Sequence, residues 1–324
     1  MWQSDTFNAT RIDEELSWAQ DLGMTTMRVF LHDLAYSEDP SGFKSRVETF
    51  LEISARHSIK ILIVIFDSCW NPELKAGKQK DPRPGVHNSR WVQSPGSKAL
   101  LNSSEYSRLE TYVKDIVNTF SNDSRILGWD LWNEPDNTDM GIYVDPFNKT
   151  QFVLNLLPKV FQWARSVQPK QPLTSGLWKK GYSQEGGQFD EMEEIQMNNS
   201  DIITFHSYDP PDSFTQYINF LKKFNRPILC TEYMARPLGS QFETIMPIGR
   251  DYNVGLINWG FVNGKTQTHF PWDSWFLPYI DQQPEIWFHD ILRTNGTPYK
   301  EEEVEMIKRI VGVKAYTADE NQAN

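Results

Sequence analysis

Glu134 and Glu232 each close an apolar run with polar residues gathered around them. Glu134 lies in Trp129-Asp130-Leu131-Trp132-Asn133-Glu134-Pro135-Asp136-Asn137, and Glu232 in Ile228-Leu229-Cys230-Thr231-Glu232-Tyr233. Two carboxyl groups on either side of one glycosidic bond can cut it. One must hold a proton for the leaving oxygen, and the other must be ionised to attack or to activate water. Burial and nearby charge can push two such pKa values apart. Arg28 and His206, which also end apolar runs, are candidates to hold a carboxylate ionised. A lone Glu at such a place is more commonly an ion-pair partner. A second Glu, together with an Asn-Glu-Pro turn after a buried run, shifts the reading toward chemistry. Polar groups on apolar strands cost desolvation unless they are paired or used.

Elements must exist to bring these residues together. Apolar runs predict strands over 25–31, 60–67, 126–134, 173–178, 201–208, 227–233 and 255–262. Amphipathic spacing predicts helices over 12–22, 43–57, 105–120, 151–167, 190–197, 213–224, 241–250 and 301–311, with Asn8 or Thr10 capping the first and Pro247 breaking or kinking the seventh. A long loop is expected from Ser68 to about Ser104, and a second insertion from Asn263 to Tyr299. Near-continuous apolar strands alternating with helices indicate a parallel sheet buried on both faces. The sequence has no Gly-rich nucleotide turn of the G-x-G-x-x-G or Walker type, which argues for a barrel over an open doubly wound sheet. In a barrel the working residues lie at the carboxyl ends of the strands. There this chain places Arg28, Asp67, Asn133, Glu134, His206, Tyr208, Glu232 and Trp259.

Composition narrows the classes. Lys and Arg number 32 against 43 Asp and Glu, a net charge of −11, which argues against binding nucleic acid or an anionic membrane surface. No run approaches the ~18 apolar residues of a membrane span. Two cysteines, Cys69 and Cys230, exclude a disulfide scaffold or a Cys-rich zinc module and are read as free core thiols. His269 and His289 lack metal-ligand spacing, so no metal or cofactor is expected. The start Met1-Trp2-Gln3-Ser4-Asp5 has no signal-peptide character, although Asn-x-Ser/Thr triplets occur at Asn8, Asn102, Asn122, Asn148, Asn198 and Asn295.

The stretch from Trp129 to Asn137 resembles the acid/base motif of clan A glycoside hydrolases, family 5 (the cellulase family) above all. Arg28, His206-x-Tyr208, Glu232 and Trp259 follow in that family's order, over roughly residues 10–311. The resemblance implies an α/β fold, the (β/α)8 TIM-type barrel, in one catalytic domain over 1–312 with a polar tail at 313–324. It implies a retaining glycoside hydrolase, a β-glycosidase acting on a β-glucan, β-mannan or xylan type of polysaccharide or oligosaccharide. Glu134 would be the general acid and then the base, and Glu232 the nucleophile, with carboxyl groups ~5–5.5 Å apart. Asn133 would bond the sugar 2-hydroxyl, Arg28 and Tyr208 would support Glu232, His206 would orient the acid/base or touch sugar, and Trp259 would form the floor of the subsite. A monomer is expected, secreted or periplasmic like its relatives.

The chain departs from the family pattern in two places. Relatives commonly carry a His after the third strand, where this chain has Asp67-Ser68-Cys69-Trp70. His32 or His87 is expected to fill that space, or Asp67 to contact sugar itself. No strand precedes the first helix, so the first barrel strand is expected to be missing from this chain and the gene product to extend upstream. That leaves an inactive fragment or a non-hydrolytic sugar-binding barrel as the alternative reading, with an unrelated metal- or phosphate-using barrel last. Of the remaining aromatics, Trp70, Trp91 and Trp272 are candidates to line the cleft and Trp287 to pack. Lys179, Lys180 and the acidic run 190–194 are expected to be solvated.

Overall fold

The computed structural model describes residues 1–138, 141–184 and 186–312, so the tail at 313–324 lies outside the described residues. Helices and parallel strands alternate as expected, and the chain has the (β/α)8 architecture. Helix α1 (Ala9–Asp21) starts where the Asn8 side chain accepts a hydrogen bond from the Arg11 amide, and it buries Ile12, Leu16 and Ala19 as one stripe. Strand β1 (Thr26–Phe30) follows, then the short helix α2 (Asp33–Glu38) and α3 (Pro40–Arg56). Strand β2 (Lys60–Asp67) is buried at every position but its first, as a strand covered on both faces must be. A long loop then leads through α4 (Ser97–Leu101) to α5 (Tyr106–Thr119), β3 (Ile126–Asn133), α6 (Lys149–Ser166) and β4 (Leu173–Thr174). The second half runs α7 (Glu191–Asn199), β5 (Ile203–His206), α8 (Pro211–Leu221), β6 (Ile228–Glu232), α9 (Phe242–Tyr252), β7 (Gly255–Leu256) and α10 (Glu301–Val311).

The strands form two parallel runs, β1-β2-β3-β4 and β5-β6-β7, which a parallel bridge between Leu177 and Phe205 joins. Register aligns the strand ends: Arg28 lies beside Leu62, Asp67 beside Asn133 and His206 beside Glu232. One apolar core lies under β1 to β3 and includes Phe43, Tyr112, Trp129 and Phe161; the other lies under β5 and β6 and includes Phe205, Phe214 and Phe242.

Among the described residues no strand pairs with the outer edge of β1 or with that of β7. Between these edges lies a cavity of about 950 Å³, lined by Met27, Val29, Leu229, Leu256, Ile257 and Phe261 and reaching up to Arg28 and Trp259. A barrel of this kind has eight strands, and the described residues supply seven. All five residues of β1 are only half-buried in consequence. Trp2 covers one end of the opening, its indole N–H donating to the Phe30 carbonyl at 2.6 Å.

Several predicted elements differ from those observed. The predicted strand over 173–178 shrinks to Leu173–Thr174, and that over 255–262 to Gly255–Leu256. Gly260, at φ +80°, turns the chain beyond the latter. Helix α2 escaped the sequence reading because six residues give too little periodicity; His32 caps it, Nδ1 accepting from the Leu34 amide. Pro247 does not break α9, since burial of Phe242 and Ile245 holds the helix on its sheet despite one missing hydrogen bond. The acidic run is only partly a solvated face: Asp190 and Glu193 close a reciprocal cap at the start of α7, and Glu193 is buried. No helix among the described residues is long and apolar enough to cross a membrane.

Candidate active site

The strand ends assemble one polar cluster inside the barrel mouth. Arg28, on β1, is its hub. Its Nη1 donates to Glu232 Oε1 at 2.8 Å, its Nη2 to Asn133 Oδ1 at 2.6 Å, and its Nη2 and Nε to Asp130 Oδ2 at 2.7 and 3.0 Å. Burial works against the guanidinium charge, but Asp130 and Glu232 more than offset it and hold Arg28 firmly charged.

Glu232 ends β6 and accepts from two directions, Arg28 at Oε1 and the Tyr208 hydroxyl at Oε2, 2.7 Å away. Glu134 follows β3 in a left-handed conformation, φ 42°, uncommon outside glycine and found where surroundings impose it. The turn is pinned from both ends: the Asn137 amide donates to the Glu134 carbonyl at 2.9 Å and the Asn137 side chain to Oε2 at 2.5 Å. His206 Nδ1 lies 2.8 Å from Glu134 Oε1 and 3.6 Å from Glu232 Oε2. One ligand-type atom each of Glu134, His206 and Glu232 lies within 4.8 Å of the others. These are the atoms a cation would use, but each is already engaged by the others or by Arg28 and Tyr208.

Charge is distributed unevenly over the pair. Burial pushes the Glu134 carboxyl up, yet the hydrogen bond and charge of His206, then Asn137 and Cys69, bring it below the usual range. Burial pushes Glu232 up as well; His206 and Arg28 pull it down, Glu134 opposes them, and the net direction is up. The surroundings thus push the two carboxyls in opposite directions. Tyr208 is held protonated, its pKa raised first by burial and then by Glu232.

Asp67 sits one layer back. Its Oδ1 accepts from Asn133 Nδ2 at 2.8 Å and from the Cys69 amide at 3.1 Å, and its Oδ2 from the Trp91 indole at 2.5 Å. Both oxygens are thus spent on protein groups. Aromatic walls flank the cluster. Trp259 meets Phe30 and Trp91 edge-on, Trp272 meets Tyr208 edge-on at 5.4 Å, and Trp70 stacks on Trp275 at 5.3 Å.

His87 and His32 do not reach the two carboxylates. His87 is buried behind Trp70, with Nδ1 on the Phe270 carbonyl. His32 caps α2, and its other nitrogen meets the Gln93 carbonyl. Cys69 lies beside Glu134 instead; it is only partly buried and so not the core thiol expected, and its Sγ lies 3.3 Å from Glu134 Oε2. Cys230 is fully buried. Asp130, Asn137 and Cys69 are the participants for which sequence reading found no role, although the first two stand in the Asn-Glu-Pro stretch itself. Trp287 packs, stacked on Tyr299. Lys179 pairs with Asp136 and Asp190, and Lys180 with Asp209, so neither is simply solvated.

The family described as cellulase (glycosyl hydrolase family 5) matches residues 3–275. No curated protein matches the chain by sequence. Among solved structures, the chain is similar to an endo-1,4-β-D-mannanase from Thermotoga petrophila RKU-1, with 14% identity over 97% of each chain and a TM-score of 0.59. It is also similar to an endo-1,4-β-mannanase from Rhizomucor miehei, with 15% identity over 79% of this chain and 83% of that one and a TM-score of 0.56. An exo-β-1,4-mannosidase from Opitutaceae bacterium strain TAV5 matches with 18% identity over 93% of this chain and 55% of that one, TM-score 0.62. At these identities the structural likeness speaks for the fold.

Proposed function

The chain belongs to glycosyl hydrolase family 5, and from that premise we propose that it hydrolyses β-linked polysaccharides or oligosaccharides with retention, using Glu134 and Glu232. The observation that carries the reading is the convergence of the two carboxylates on one imidazole, their atoms within 4.8 Å. Inverting pairs stand ~6.5–9.5 Å apart to leave room for a water, whereas retaining pairs stand ~5–5.5 Å apart.

Glu232, aimed by Arg28 and Tyr208, attacks the anomeric carbon. Glu134 gives a proton to the departing glycosidic oxygen, and a glycosyl–Glu232 ester results. Glu134, now ionised, takes a proton from water as that water attacks the ester, and free Glu232 is restored. His206 Nδ1 lies 2.8 Å from Glu134 Oε1 and orients that carboxyl. Asn133, tied to Asp67 and Arg28, is held to meet the sugar 2-hydroxyl, and Trp259 forms the floor.

The sugar is a β-glucan, β-mannan or xylan type, with mannan first in the test because the structural neighbours named above are mannan-cleaving enzymes. The test is release of reducing ends from β-mannans, β-glucans and xylans by the parent protein and by Glu232→Gln. Hydrolysis by the parent alone is expected; equal hydrolysis by both rejects Glu232. One observation favours a second reading, a barrel that binds sugar without cutting it: the opening between β1 and β7 lies against Arg28. Sugar binding without product from any polymer would establish that reading.

A further inference from the structure

We propose that Cys69 is a positioning residue for Glu134, its thiol donating to the carboxylate read above as the acid/base. The inference rests on the reading of Glu134 given above. Cys69 Sγ lies 3.3 Å from Glu134 Oε2, while the amides of Asn133 and Asn137 approach the same sulfur at 3.4 and 3.5 Å. The sulfur thus accepts from two side chains and passes its own proton toward the carboxylate. Its backbone is fixed too: the Cys69 amide donates to Asp67 Oδ1, and Trp70 follows at φ 68°, turning the chain away. Burial, then Asp67, Glu134 and Glu232, push the thiol well above its ordinary pKa, so it is a donor and not a thiolate.

The consequence is geometric and electrostatic. Oε1 of Glu134 is held by His206, and Oε2 by Asn137 and Cys69, so the carboxylate plane cannot rotate freely. A cationic side chain here would add a full charge and make Glu134 harder to protonate. A thiol supplies a weak, uncharged hydrogen bond and leaves the acid able to take its proton. The other charged or titratable groups of this cluster are His206 at the end of β5, Tyr208 beyond it, Glu232 on β6, Asp67 on β2 and, through Asn133, Arg28 on β1.

Two measurements test this. The first is the pH dependence of kcat/KM for the parent, Cys69→Ala and Cys69→Ser. Loss of the donor in Cys69→Ala is expected to move the alkaline limb up by roughly half to one pH unit, with kcat falling more than KM changes. Cys69→Ser, which keeps a donor, is expected to restore the parent limb. An unmoved limb in Cys69→Ala, or equal shifts in both variants, overturns the proposal and leaves Cys69 as packing. The second needs no hydrolysis: the rate of Cys69 alkylation by iodoacetamide, mapped by peptide mass, in the parent and in Glu134→Gln, with buried Cys230 as internal reference. Removing the carboxylate is expected to raise that rate severalfold near pH 8. An unchanged rate overturns the contact, whether or not the protein proves to be a hydrolase.

Discussion

Arg28 is tied more fully to Asp130 than to Glu232, the carboxylate it is read as serving. Two of its nitrogens reach Asp130 Oδ2, and one reaches Glu232. Asp130 is fully buried, and its other side-chain oxygen has no partner. The guanidinium thus neutralises Asp130 first and lends the remainder of its field to Glu232. This sharing helps explain why Glu232 stays above the usual range despite an arginine at 2.8 Å.

Replacing Arg28 therefore tests stability and chemistry together. Arg28→Ala strands two buried carboxylates, and breaking a buried pair from one side costs about 3–5 kcal/mol. Urea unfolding is expected to show that loss, and Arg28→Lys, unable to reach Asn133, Asp130 and Glu232 at once, is expected to recover only part of it. Parent-like stability in Arg28→Ala would mean that the cluster is hydrated and loosely held.

Glu134→Ala separates the two chemical steps. An aryl β-glycoside with a good leaving group needs little protonation, so formation of the glycosyl–Glu232 ester is expected to survive. Its hydrolysis, deprived of a base, is expected to slow about 10²–10⁴-fold. Azide needs no general base, and it is expected to restore turnover and give a β-glycosyl azide. An α-azide would point to single displacement and end the retaining assignment.

The parts of this site legible in sequence are those that chain-local chemistry announces. Lys60–Asp67 and Glu301–Val311 match their predicted ranges, because strand β2 is apolar throughout and α10 keeps one strict stripe. Glu134 and Asn133 stood out because polar residues rarely end such a buried strand. Cys69 did not, because nothing near it in sequence says that it faces Glu134, a neighbour on the adjoining strand's loop. Asp130 was visible in the motif, but its role depends on register across β1, β2 and β3. His87 and His32 were plausible by residue type, and loop geometry that sequence does not encode locally carried each elsewhere.

The open edge of β1 makes a prediction about hydrogen exchange. The Leu31 amide donates to Val64 on β2, so by alternation the amides of Met27 and Val29 face β2, while those of Thr26, Arg28 and Phe30 face the cavity. The second set is expected to exchange much faster than the first in amide-resolved measurements. Joining an apolar strand to the chain so that it fills the cavity should slow that second set selectively. Equal protection of both sets in the protein as it stands would mean that the edge is already covered.

Asp290 offers a test of burial against ionisation away from Glu134 and Glu232. It is fully buried, its Oδ1 accepts from the Thr268 hydroxyl at 2.5 Å, and its Oδ2 has no hydrogen-bond partner, with His269 Nδ1 3.8 Å away. Burial raises its carboxyl to about 6, against the pull of Thr268 and Arg236. An unfolded chain ionises the same group near 3.9. Between about pH 4 and pH 6 the native state therefore holds a proton that the unfolded state has released, and stability from this group is lost as pH rises through that window. The full difference, about two pKa units, corresponds to roughly 3 kcal/mol above pH 6. Asp290→Asn keeps an acceptor for Thr268 and never ionises. It is expected to match the parent near pH 4 and to exceed it by up to that amount at pH 8 in urea unfolding. A stability difference that stays constant from pH 4 to pH 8 would show that Asp290 titrates normally, and that water or a neighbour not accounted for solvates its second oxygen.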